Sequence, residues 1–444
     1  MDINSFKIED FYVESLGETK VESPLYKSYS GTEIVKEFVK DDQRVLYDAS
    51  LESFKKAMES GNEPISFEKA GPRKDLFFNP ANTKAAIVTC GGLCPGLNNV
   101  IRSLVMGLYY RYGVKNIVGI PYGYQGLNPE YGHKFINLTP EVVKDIHLFG
   151  GSILGSSRGR QDISMMVDTL ERNNINMLFT IGGDGTLAGN YVIAEEIERR
   201  GLKIALAGLP KTIDNDVNFI QKTFGFETAF TTAAPILRDA HNEATGAYNG
   251  IAIVKLMGRD SGFIAATAAL AMPDVNFVLV PENEFELKGE NGFLNSLKQR
   301  VMERNHALVV VAEGAGQNLF TGGDVVKDAS GNIKHKDIGL LLKDEIGAFF
   351  KEQGMEATVK YIDPSYIIRS EPANPSDSIF CTSLAMNAIH GAMAGKTGFV
   401  VGRWNNVFTY LPIPVATKTR KKIDVNGELW WSVLESTGQP MNMK

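Results

Sequence analysis

The sequence is short of cysteine, of surplus basic charge and of long apolar runs. Three cysteines in 444 residues are too few for a disulfide framework. Cys90 and Cys94 are not accompanied by a second pair of potential ligands, so we predict buried cysteines rather than a metal site. The formal net charge of -6 disfavours nucleic acid as a partner, because neutralising phosphates takes a surplus of Lys and Arg. No apolar run approaches the ~18 residues of a membrane span, and the first residues show no secretion signal. We therefore expect a cytoplasmic protein without a membrane or nucleic-acid partner.

The length of the chain and the positions of its loop-forming stretches indicate how the chain is organised. With 444 residues, the chain is too long for a single ordinary hydrophobic core, so we predict two domains with an appendage. Residues 1–80 have mixed polarity and are broken by GNEP, GPRK and NPAN, all typical loop-forming stretches. We predict that they form an N-terminal extension that packs on the body of the protein.

From Lys84 onward, short apolar runs alternate with stretches of helical periodicity. The runs predicted as strands are AAIVTC, NIVGIPYG, INMLFTIGG, KIALAGLPKT, YNGIAIVKLMG, VNFVLVPE and HALVVVAEG. Helical spacing follows in stretches such as LAGNYVIAEEIERRG and GFLNSLKQRVMERN. This alternation predicts an α/β fold with mainly parallel sheets covered by helices. Ligands bind such sheets at the carboxyl ends of the strands, so the polar residues that follow each strand are the candidate site.

The stretch FTIGGDGTLAG, residues 179–189, ends one predicted strand and begins a helix. Its glycines let the backbone approach a ligand, and a helix N-terminus suits a phosphate group. A carboxylate there is explained if Asp184 holds Mg²⁺, which binds one or two carboxylates together with substrate phosphate oxygens. Two alternatives remain open at this point. Asp184 could be only a helix cap, and NAD kinases and lipid kinases also use a GGDGT-like turn.

The stretch GLPKTIDNDV follows the next predicted strand. It supplies Lys211, Thr212, Asp214 and Asp216, which suit phosphoryl transfer to an alcohol: a carboxylate to accept the hydroxyl proton, a cation for developing charge, and positioning donors. The alternative is an ordinary polar loop with an Asx turn.

Two further strand ends and one later stretch carry polar residues. VKLMGRDSG contributes Arg259, whose planar guanidinium suits phosphate, and VVVAEGAGQ contributes Glu313, a carboxylate that suits sugar hydroxyls. VKYIDPSYIIRS contributes Lys360, Tyr366 and Arg369 as another phosphate-binding set. Taken singly, Arg259 or Lys360 is better explained as an exposed or paired surface charge.

Seven ordered motifs resemble the 6-phosphofructokinase family: GGLCPGLNNVIR, GSSRGRQD, GGDGT, PKTIDND, KLMGRDSGFIA, AEGAG and YIDPSYIIR. The resemblance covers about residues 84–405, and the PKTIDND lysine and YIDPSY are typical of the longer members, including the ATP-dependent enzymes of plants and trypanosomes and the pyrophosphate-dependent enzymes. It implies two similar Rossmann-like three-layer domains with the active site in the cleft between them. The expected ranges are 81–230 for a nucleotide-binding domain, completed by about 372–444, and 231–371 for a fructose 6-phosphate-binding domain.

The resemblance also implies roles for single residues. Asp184 matches the family's Mg²⁺ position, and Asp214 matches its proton acceptor, supported by Lys211, Thr212 and Arg259. The positions matching nucleotide contacts are Gly91, Gly92, Arg158, Gly159, Gly183, Asp184, Gly185 and Thr186. The positions matching fructose 6-phosphate contacts are Thr212, Ile213, Asp214, Asp216, Met257, Gly258, Arg259, Glu313, Lys360, Tyr366 and Arg369. The implied activity is glycolytic transfer of the ATP γ-phosphoryl group to fructose 6-phosphate by a homo-oligomer, either a dimer or a tetramer.

Some positions depart from the family's short bacterial pattern or leave the reaction open. An arginine expected seven residues before Met257 is Gly250 here, so an equivalent cation must come from elsewhere or be missing. Gly185 favours ATP, because pyrophosphate users usually carry an Asp there, whereas Lys211 is typical of pyrophosphate users. We predict ATP, with pyrophosphate as the alternative. More distant alternatives are an NAD- or lipid-kinase-type enzyme and a non-catalytic sugar-phosphate-binding regulatory subunit.

Overall fold

The structure is a computed structural model that describes residues 3–26, 37–320, 322, 326 and 333–444, apart from the side chain of residue 4. Its strands are β1 (Glu14–Ser15), β2 (Val21–Glu22), β3 (Arg44–Leu46), β4 (Ser66–Lys69), β5 (Asp75–Leu76), β6 (Lys84–Thr89), β7 (Asn116–Ile120), β8 (Ile136–Asn137), β9 (Met177–Gly182), β10 (Ala205–Pro210), β11 (Gly250–Leu256), β12 (Phe277–Leu279), β13 (His306–Ala312), β14 (Thr358–Ile362), β15 (Lys396–Thr397), β16 (Phe399–Trp404) and β17 (Val407–Pro412).

The α-helices are α1 (Leu51–Ser60), α2 (Leu97–Met106), α3 (Pro140–Val143), α4 (Ile163–Arg172), α5 (Asp184–Arg199), α6 (Phe226–Thr245), α7 (Phe263–Leu270), α8 (Phe293–Arg304), α9 (Ile338–Glu352), α10 (Ile367–Ser370), α11 (Pro375–Met393), α12 (Ile413–Thr417) and α13 (Glu428–Thr437). A π-helical segment, Gly107–Tyr112, continues α2. Short 3-10 helices span Ile3–Ser5, Ile8–Phe11, Pro24–Tyr26, Pro80–Asn82, Gly123–Leu127, Pro129–Tyr131, Ile146–Leu148 and Gln317–Leu319. In the described residues, no helix is long and apolar enough to cross a bilayer.

The chain divides into two compact units, each made of several segments. The first unit consists of Met1–Thr212, Val217–Gly225 and Glu371–Arg420, and the second of Ile213–Asp216, Phe226–Ser370 and Lys421–Lys444. The last segment of the chain belongs to the second unit in this division, whereas we had expected it to complete the nucleotide-binding domain. Which ligand each unit binds stays a prediction.

The first unit is built on a nine-stranded sheet in the order β3-β4-β17-β16-β10-β9-β6-β7-β8. Its central strands β16, β10, β9, β6 and β7 are parallel. Because side chains alternate between the two faces of a strand, Ala86, Val88 and Leu178 point to one face. There they pack with Met166 of α4 and Ile193 of α5 in a buried cluster. The apolar residues run almost continuously along these strands, as is typical of parallel strands that are covered on both faces.

The described residues of the N-terminal extension pack on the first unit and add strands to its sheet. Strand β4 pairs antiparallel with β17, with Lys69 opposite Thr409, and β3 pairs with β4. The buried rings of Phe11 and Phe67 have centroids 5.4 and 5.8 Å from that of Phe219. The extension is therefore part of the core of this unit.

The second unit is built on a four-stranded parallel sheet in the order β12-β13-β11-β14. Ile251 and Ile253 of β11 lie in a buried cluster with Leu297 of α8 and Ile346 of α9. The alternate residues of β11 point to the opposite face, and helices α6 and α7 also contact this sheet. The predicted α/β class with mainly parallel sheets is therefore confirmed.

Candidate active site

In the first unit, most of the predicted nucleotide-binding residues, together with the predicted catalytic residues Lys211 and Thr212, follow three neighbouring parallel strands. Residues 91–92 follow β6, residues 183–186 follow β9, and residues 211–212 follow β10, and these strands are adjacent in the order β10-β9-β6. Because the carboxyl ends of parallel strands meet at one edge of a sheet, these segments lie at the same edge. Arg158 and Gly159 come instead from the loop before α4, where Arg158 is exposed and Gly159 has a φ of 105°.

The GGDGT turn begins α5 earlier than the hydrophobic pattern predicted. Gly183 is the N-cap residue and Asp184 is the first helical residue, with the Leu187 N–H donating to Gly183 O at 3.0 Å. The prediction placed the helix start at Leu187, because glycine and aspartate do not show helical periodicity. Asp184 is therefore not the helix cap, and its carboxylate lies in the first turn, where a negative charge is favoured.

The Asp184 carboxylate has a cationic neighbour that the sequence analysis missed. Arg420 Nε donates to Asp184 Oδ2 at 2.7 Å, and the two side chains are 24% and 28% exposed. Arg420 is held in place by an antiparallel bridge with Val217. The two partners lie 236 residues apart, so no local pattern signals the contact.

We asked whether the residues around Asp184 fit Mg²⁺. The described part of the chain contains no cluster of three or more His, Cys, Asp or Glu residues suited to a metal. Mg²⁺ does not need such a cluster, because it is commonly held by one or two carboxylates together with substrate phosphates and water. A partly exposed carboxylate beside a helix N-terminus fits a metal that arrives with a phosphate ligand.

Lys211 is directed at the glycine turn that follows β6. The side chain is buried, with 6% exposure, and its Nζ donates to Gly92 O at 2.8 Å. Gly91 has a φ of 86°, and its N–H donates to Ser157 O at 3.0 Å while Ser156 Oγ donates to Gly91 O at 2.6 Å. A Cβ on Gly91 would lie 3.2 Å from Lys211 Nζ. Glycine therefore suits both the backbone conformation and the close approach of the lysine.

The packing of the first unit does not require a glycine at position 185. A Cβ built on Gly185 would meet no heavy atom of the described residues within 4 Å, whereas a Cβ on Gly182 would lie 2.1 Å from Thr186 Oγ1. The small residue at 182 is thus explained by packing. The open space at 185 agrees with a path for a ligand.

Cys90 and Cys94 are buried, as predicted, and Cys381 is buried as well; all three are free. Cys90 lies after β6, where burial raises the pKa of its thiol to about 12. A thiol in that state is neutral and acts as a small apolar residue.

In the second unit, Arg259 and Glu313 lie at the ends of neighbouring strands β11 and β13 and contact each other. Arg259 has a φ of 50°, and its N–H donates to Glu313 Oε1 at 2.8 Å. Gly258, with a φ of 148°, and Gly314 both fit tightly, because a Cβ on Gly314 would lie 2.0 Å from Arg259 O. Glu313 therefore holds the turn that presents Arg259, which is a role that the sequence did not predict.

The residues predicted from the last motif lie in and after β14, the strand on the other side of β11. Lys360 forms an ion pair with Glu243. The Arg369 guanidinium lies 4.9 Å from the centroid of the Tyr366 ring, and Tyr366 is 75% exposed. The two strand ends that flank β11 thus place Glu313 on one side and Tyr366 and Arg369 on the other.

The segment Ile213–Asp216 belongs to the second unit and is tied to the chain at Lys421. The Lys421 N–H donates to Asp216 O at 2.8 Å, and Lys421 O accepts from Ser261 Oγ at 2.8 Å. Burial lowers the pKa of the Lys421 amine to about 7, against the opposing effect of Asp216. Asn215, between the two aspartates, has a φ of 54°, so the segment turns sharply at that residue.

The structure explains why Gly250 carries no side chain. A Cβ at this position would lie 2.0 Å from Ala244 O, because the end of α6 packs directly on the start of β11. An arginine cannot occupy position 250 without moving this backbone.

Comparisons with known proteins agree with these features. A family model described as "Phosphofructokinase" matches residues 84–392. The chain is 52% identical to an ATP-dependent 6-phosphofructokinase of Borreliella burgdorferi over 98% of both chains. It is 50% identical to the chloroplastic ATP-dependent 6-phosphofructokinase 5 of Arabidopsis thaliana over 84% of this chain and 69% of the relative.

Two further comparisons concern the trypanosome type and the fold. The chain is 44% identical to an ATP-dependent 6-phosphofructokinase of Trypanosoma cruzi over 98% of this chain and 89% of the relative. The crystal structure of a pyrophosphate-dependent phosphofructokinase from Nitrosospira multiformis superposes with a TM-score of 0.66 at 18% identity, covering 81% of this chain and 92% of that one. At that identity the likeness concerns the fold alone. The predicted resemblance to the longer plant and trypanosome members is confirmed, and the chain belongs to the phosphofructokinase family.

Proposed function

We propose that this protein is an ATP-dependent 6-phosphofructokinase. It transfers the γ-phosphoryl group of ATP to the 1-hydroxyl of fructose 6-phosphate and yields fructose 1,6-bisphosphate and ADP. The observation that carries the proposal is the 52% identity, over 98% of both chains, to a relative named as an ATP-dependent 6-phosphofructokinase. The geometry supports it, because the motifs that carry residues 91–92, 183–186, 211–212 and Arg259 each follow the carboxyl end of a parallel strand, which is where ligands bind in such sheets.

In this proposal the first unit binds the phosphoryl donor. The backbone of residues 91–92 and the N-terminus of α5 offer N–H groups to the phosphates, and Arg158 adds a cation. Mg²⁺ would be held by Asp184 and by phosphate oxygens, and when bound it supplies positive charge that neutralises the phosphates. Lys211, which already lies at the glycine turn, stabilises negative charge on the transferred group.

The second unit, in the same proposal, binds fructose 6-phosphate. Asp214 accepts the proton of the 1-hydroxyl of fructose 6-phosphate while the oxygen of this hydroxyl attacks the γ-phosphorus. The bond between the γ-phosphorus and the β–γ bridging oxygen breaks in the same step. Thr212, in the first unit, and Ile213 and Asp216 flank this base. Arg259 stabilises the transferred charge, and the remaining sugar-phosphate contacts are Met257, Gly258, Glu313, Lys360, Tyr366 and Arg369.

Gly185 gives further support to the choice of ATP over pyrophosphate. The space around this residue accepts a side chain, so its glycine is better explained by a ligand than by packing. A carboxylate there would repel the α-phosphate of a nucleotide by charge and by size. Lys211 is compatible with either donor, because its Nζ is directed at the turn after β6 and can serve any transferred phosphate.

The test is a donor and acceptor comparison with the purified chain. We expect ADP and fructose 1,6-bisphosphate from ATP, Mg²⁺ and fructose 6-phosphate, with much slower turnover when pyrophosphate replaces ATP. Turnover with pyrophosphate alone would assign the other donor. Phosphorylation of NAD instead of the sugar phosphate would identify an NAD-kinase-type enzyme, and an inactive chain that binds the sugar phosphate would identify a regulatory subunit.

We also propose that the protein works in the cytoplasm as a homo-oligomer, a dimer or a tetramer. The support is family membership together with a composition that lacks a disulfide framework. Light scattering on the purified chain measures the mass directly, and a monomer would contradict this part of the proposal.

A further inference from the structure

An ion cluster in the second unit joins three elements near the proposed sugar-phosphate residues. Lys255, the penultimate residue of β11, places its Nζ 2.9 Å from Asp337 Oδ2 and 2.9 Å from Asp363 Oδ2. The lysine side chain is only 12% exposed. The cluster thus lies one residue before the end of the strand that leads into Met257 and Arg259.

Each carboxylate of this cluster also holds a piece of backbone. Asp337 is the N-cap of α9, where it accepts from the N–H of Gly339 and Leu340. It also accepts the Tyr361 hydroxyl at 2.8 Å. These contacts fix the start of α9 against strand β14.

Asp363 performs the corresponding task for the loop after β14. It accepts the N–H of Ser365 at 3.1 Å and also the Ser365 hydroxyl. Tyr366 follows directly in this loop, and Arg369 lies in the short helix α10 that comes next. Lys255 therefore connects the end of β11, which carries Arg259, with the segment that carries Tyr366 and Arg369.

The charges of the cluster agree with this geometry. Burial works against the ammonium form, but hydrogen bonds to Asp363 and Asp337 outweigh it and raise the pKa of Lys255. Burial alone would raise the pKa of both carboxyls, and the bonds that they accept lower it instead. All three groups are therefore ionised at neutral pH.

We propose that Lys255 is a positioning residue for fructose 6-phosphate: it fixes the loop after β14 relative to the Met257–Arg259 turn, so that their side chains can bind one phosphosugar. This inference rests on the proposed function. A partly buried ion pair is weak evidence for stability on its own, and in some proteins such a pair fixes one arrangement of chain segments. Here both carboxylates belong to segments next to the site.

The first test compares two buried lysines. Lys255→Met removes the link, and Lys396→Met removes a lysine of matching exposure, 11%, that pairs with Glu68 at 3.1 Å in the first unit. We expect Lys255→Met to weaken fructose 6-phosphate binding about tenfold to a hundredfold, as misplaced binding groups do, with the KM for ATP changed by less than about threefold. We expect Lys396→Met to lower the melting temperature while leaving fructose 6-phosphate affinity at the wild-type level.

Asp363→Asn keeps the side-chain volume and provides a second variant if Lys255→Met fails to fold. We expect it to weaken fructose 6-phosphate binding as well, and we expect its effect to be non-additive with Lys255→Met in a double-mutant cycle. Fructose 6-phosphate affinity is measured by calorimetry without ATP, so that binding is separated from turnover. Lys255→Arg, which keeps the charge, is expected to restore most of the affinity.

Three results would overturn the inference. One is equal loss of fructose 6-phosphate affinity in Lys255→Met and Lys396→Met. The second is wild-type affinity in Asp363→Asn, and the third is equal change of the KM values for both substrates. If the wild-type chain itself neither binds nor phosphorylates fructose 6-phosphate, the proposed function fails and this inference fails with it.

Discussion

Arg420 Nε lies 2.7 Å from Asp184 Oδ2, so the carboxylate that we propose as an Mg²⁺ ligand has a fixed cation beside it. This neighbour balances the charge of Asp184 when no metal is bound. Asp184 could therefore act as a metal ligand or as the ion-pair partner of Arg420, and experiments have to distinguish these two roles.

Replacing Asp184 by alanine removes the proposed metal ligand. We expect turnover to fall by more than ~10²-fold, because the metal neutralises phosphate charge during transfer. Fructose 6-phosphate affinity should stay within about threefold of the wild-type value, since that ligand is assigned to other residues. Steady-state kinetics at varied Mg²⁺ and calorimetry with the sugar phosphate measure the two quantities.

Arg420→Met is the matched control for Asp184→Ala, because it removes the ion pair and keeps the carboxylate. We expect its turnover to fall by less than about tenfold. If the two variants lose turnover equally and the Mg²⁺ dependence is unchanged, Asp184 acts as the partner of Arg420 and not as a metal ligand.

Asp214→Asn tests the proposed proton acceptor. The substitution is nearly isosteric, so the melting temperature and fructose 6-phosphate binding should be retained while kcat falls by ~10²–10⁴-fold. A loss below about tenfold, with binding intact, would assign the base to another group. The same protein sample serves for calorimetry and for the rate measurement.

Gly185→Asp tests the donor. The free space at this position lets the fold accept the side chain, and the first turn of α5 tolerates a carboxylate. We expect ATP turnover to be lost through repulsion of the nucleotide phosphates, with fructose 6-phosphate binding retained. Gly185→Asn has the same size without the charge, and Gly185→Ala fills less of the space. An Asp variant that uses ATP as well as the Ala variant does would contradict the assignment.

The buried side chain of His390 is expected to make the stability of the protein depend on pH. Its Nδ1 lies 2.7 Å from the Tyr112 hydroxyl, and burial, helped by Arg73, lowers its pKa to about 3. At pH values between the usual histidine pKa of about 6.5 and this lowered pKa, His390 is mostly protonated in the unfolded chain and neutral in the folded chain. The contribution to stability is therefore lost as the pH falls below about 6.5.

His390→Gln keeps a polar partner for Tyr112 and removes this titration. Between pH 7 and pH 5, we expect the variant to lose on the order of 1–2 kcal/mol less unfolding free energy than the wild-type chain does. Urea unfolding at the two pH values gives the difference. Parallel losses in the two proteins would contradict the lowered pKa, because they would show that His390 binds its proton equally well in the folded and unfolded chains.

Much of the fold and the strand-end segments could be predicted, because hydrophobic runs that stop at a glycine and a polar turn are local patterns. β6, β9, β10, β11 and β13 were all found in this way. The start of α5 was placed three residues late, because glycine at 185 gives no helical signal and the cap at Gly183 is formed by backbone.

The features that could not be predicted depend on residues distant in the sequence. The contact of Arg420 with Asp184 and the cluster of Lys255 with Asp337 and Asp363 form only after the chain has folded. The absence of a side chain at Gly250 was visible in the sequence, but its cause, the approach of Ala244 O, is a packing fact.

The strand order of the first unit has a consequence for synthesis on the ribosome. β16, which pairs with β10, and β17, which pairs with β4, come after the whole of the second unit's sheet in the chain. During translation, one edge of β10 and one edge of β4 stay unpaired until residues 399–412 have been synthesised. The strands of the second unit, in contrast, emerge in one contiguous stretch. Exposed strand edges recruit other chains, and pairings between distant segments form slowly. A nascent chain that stalls before residue 399 is therefore expected to aggregate through its early half, and prompt completion of the chain protects it.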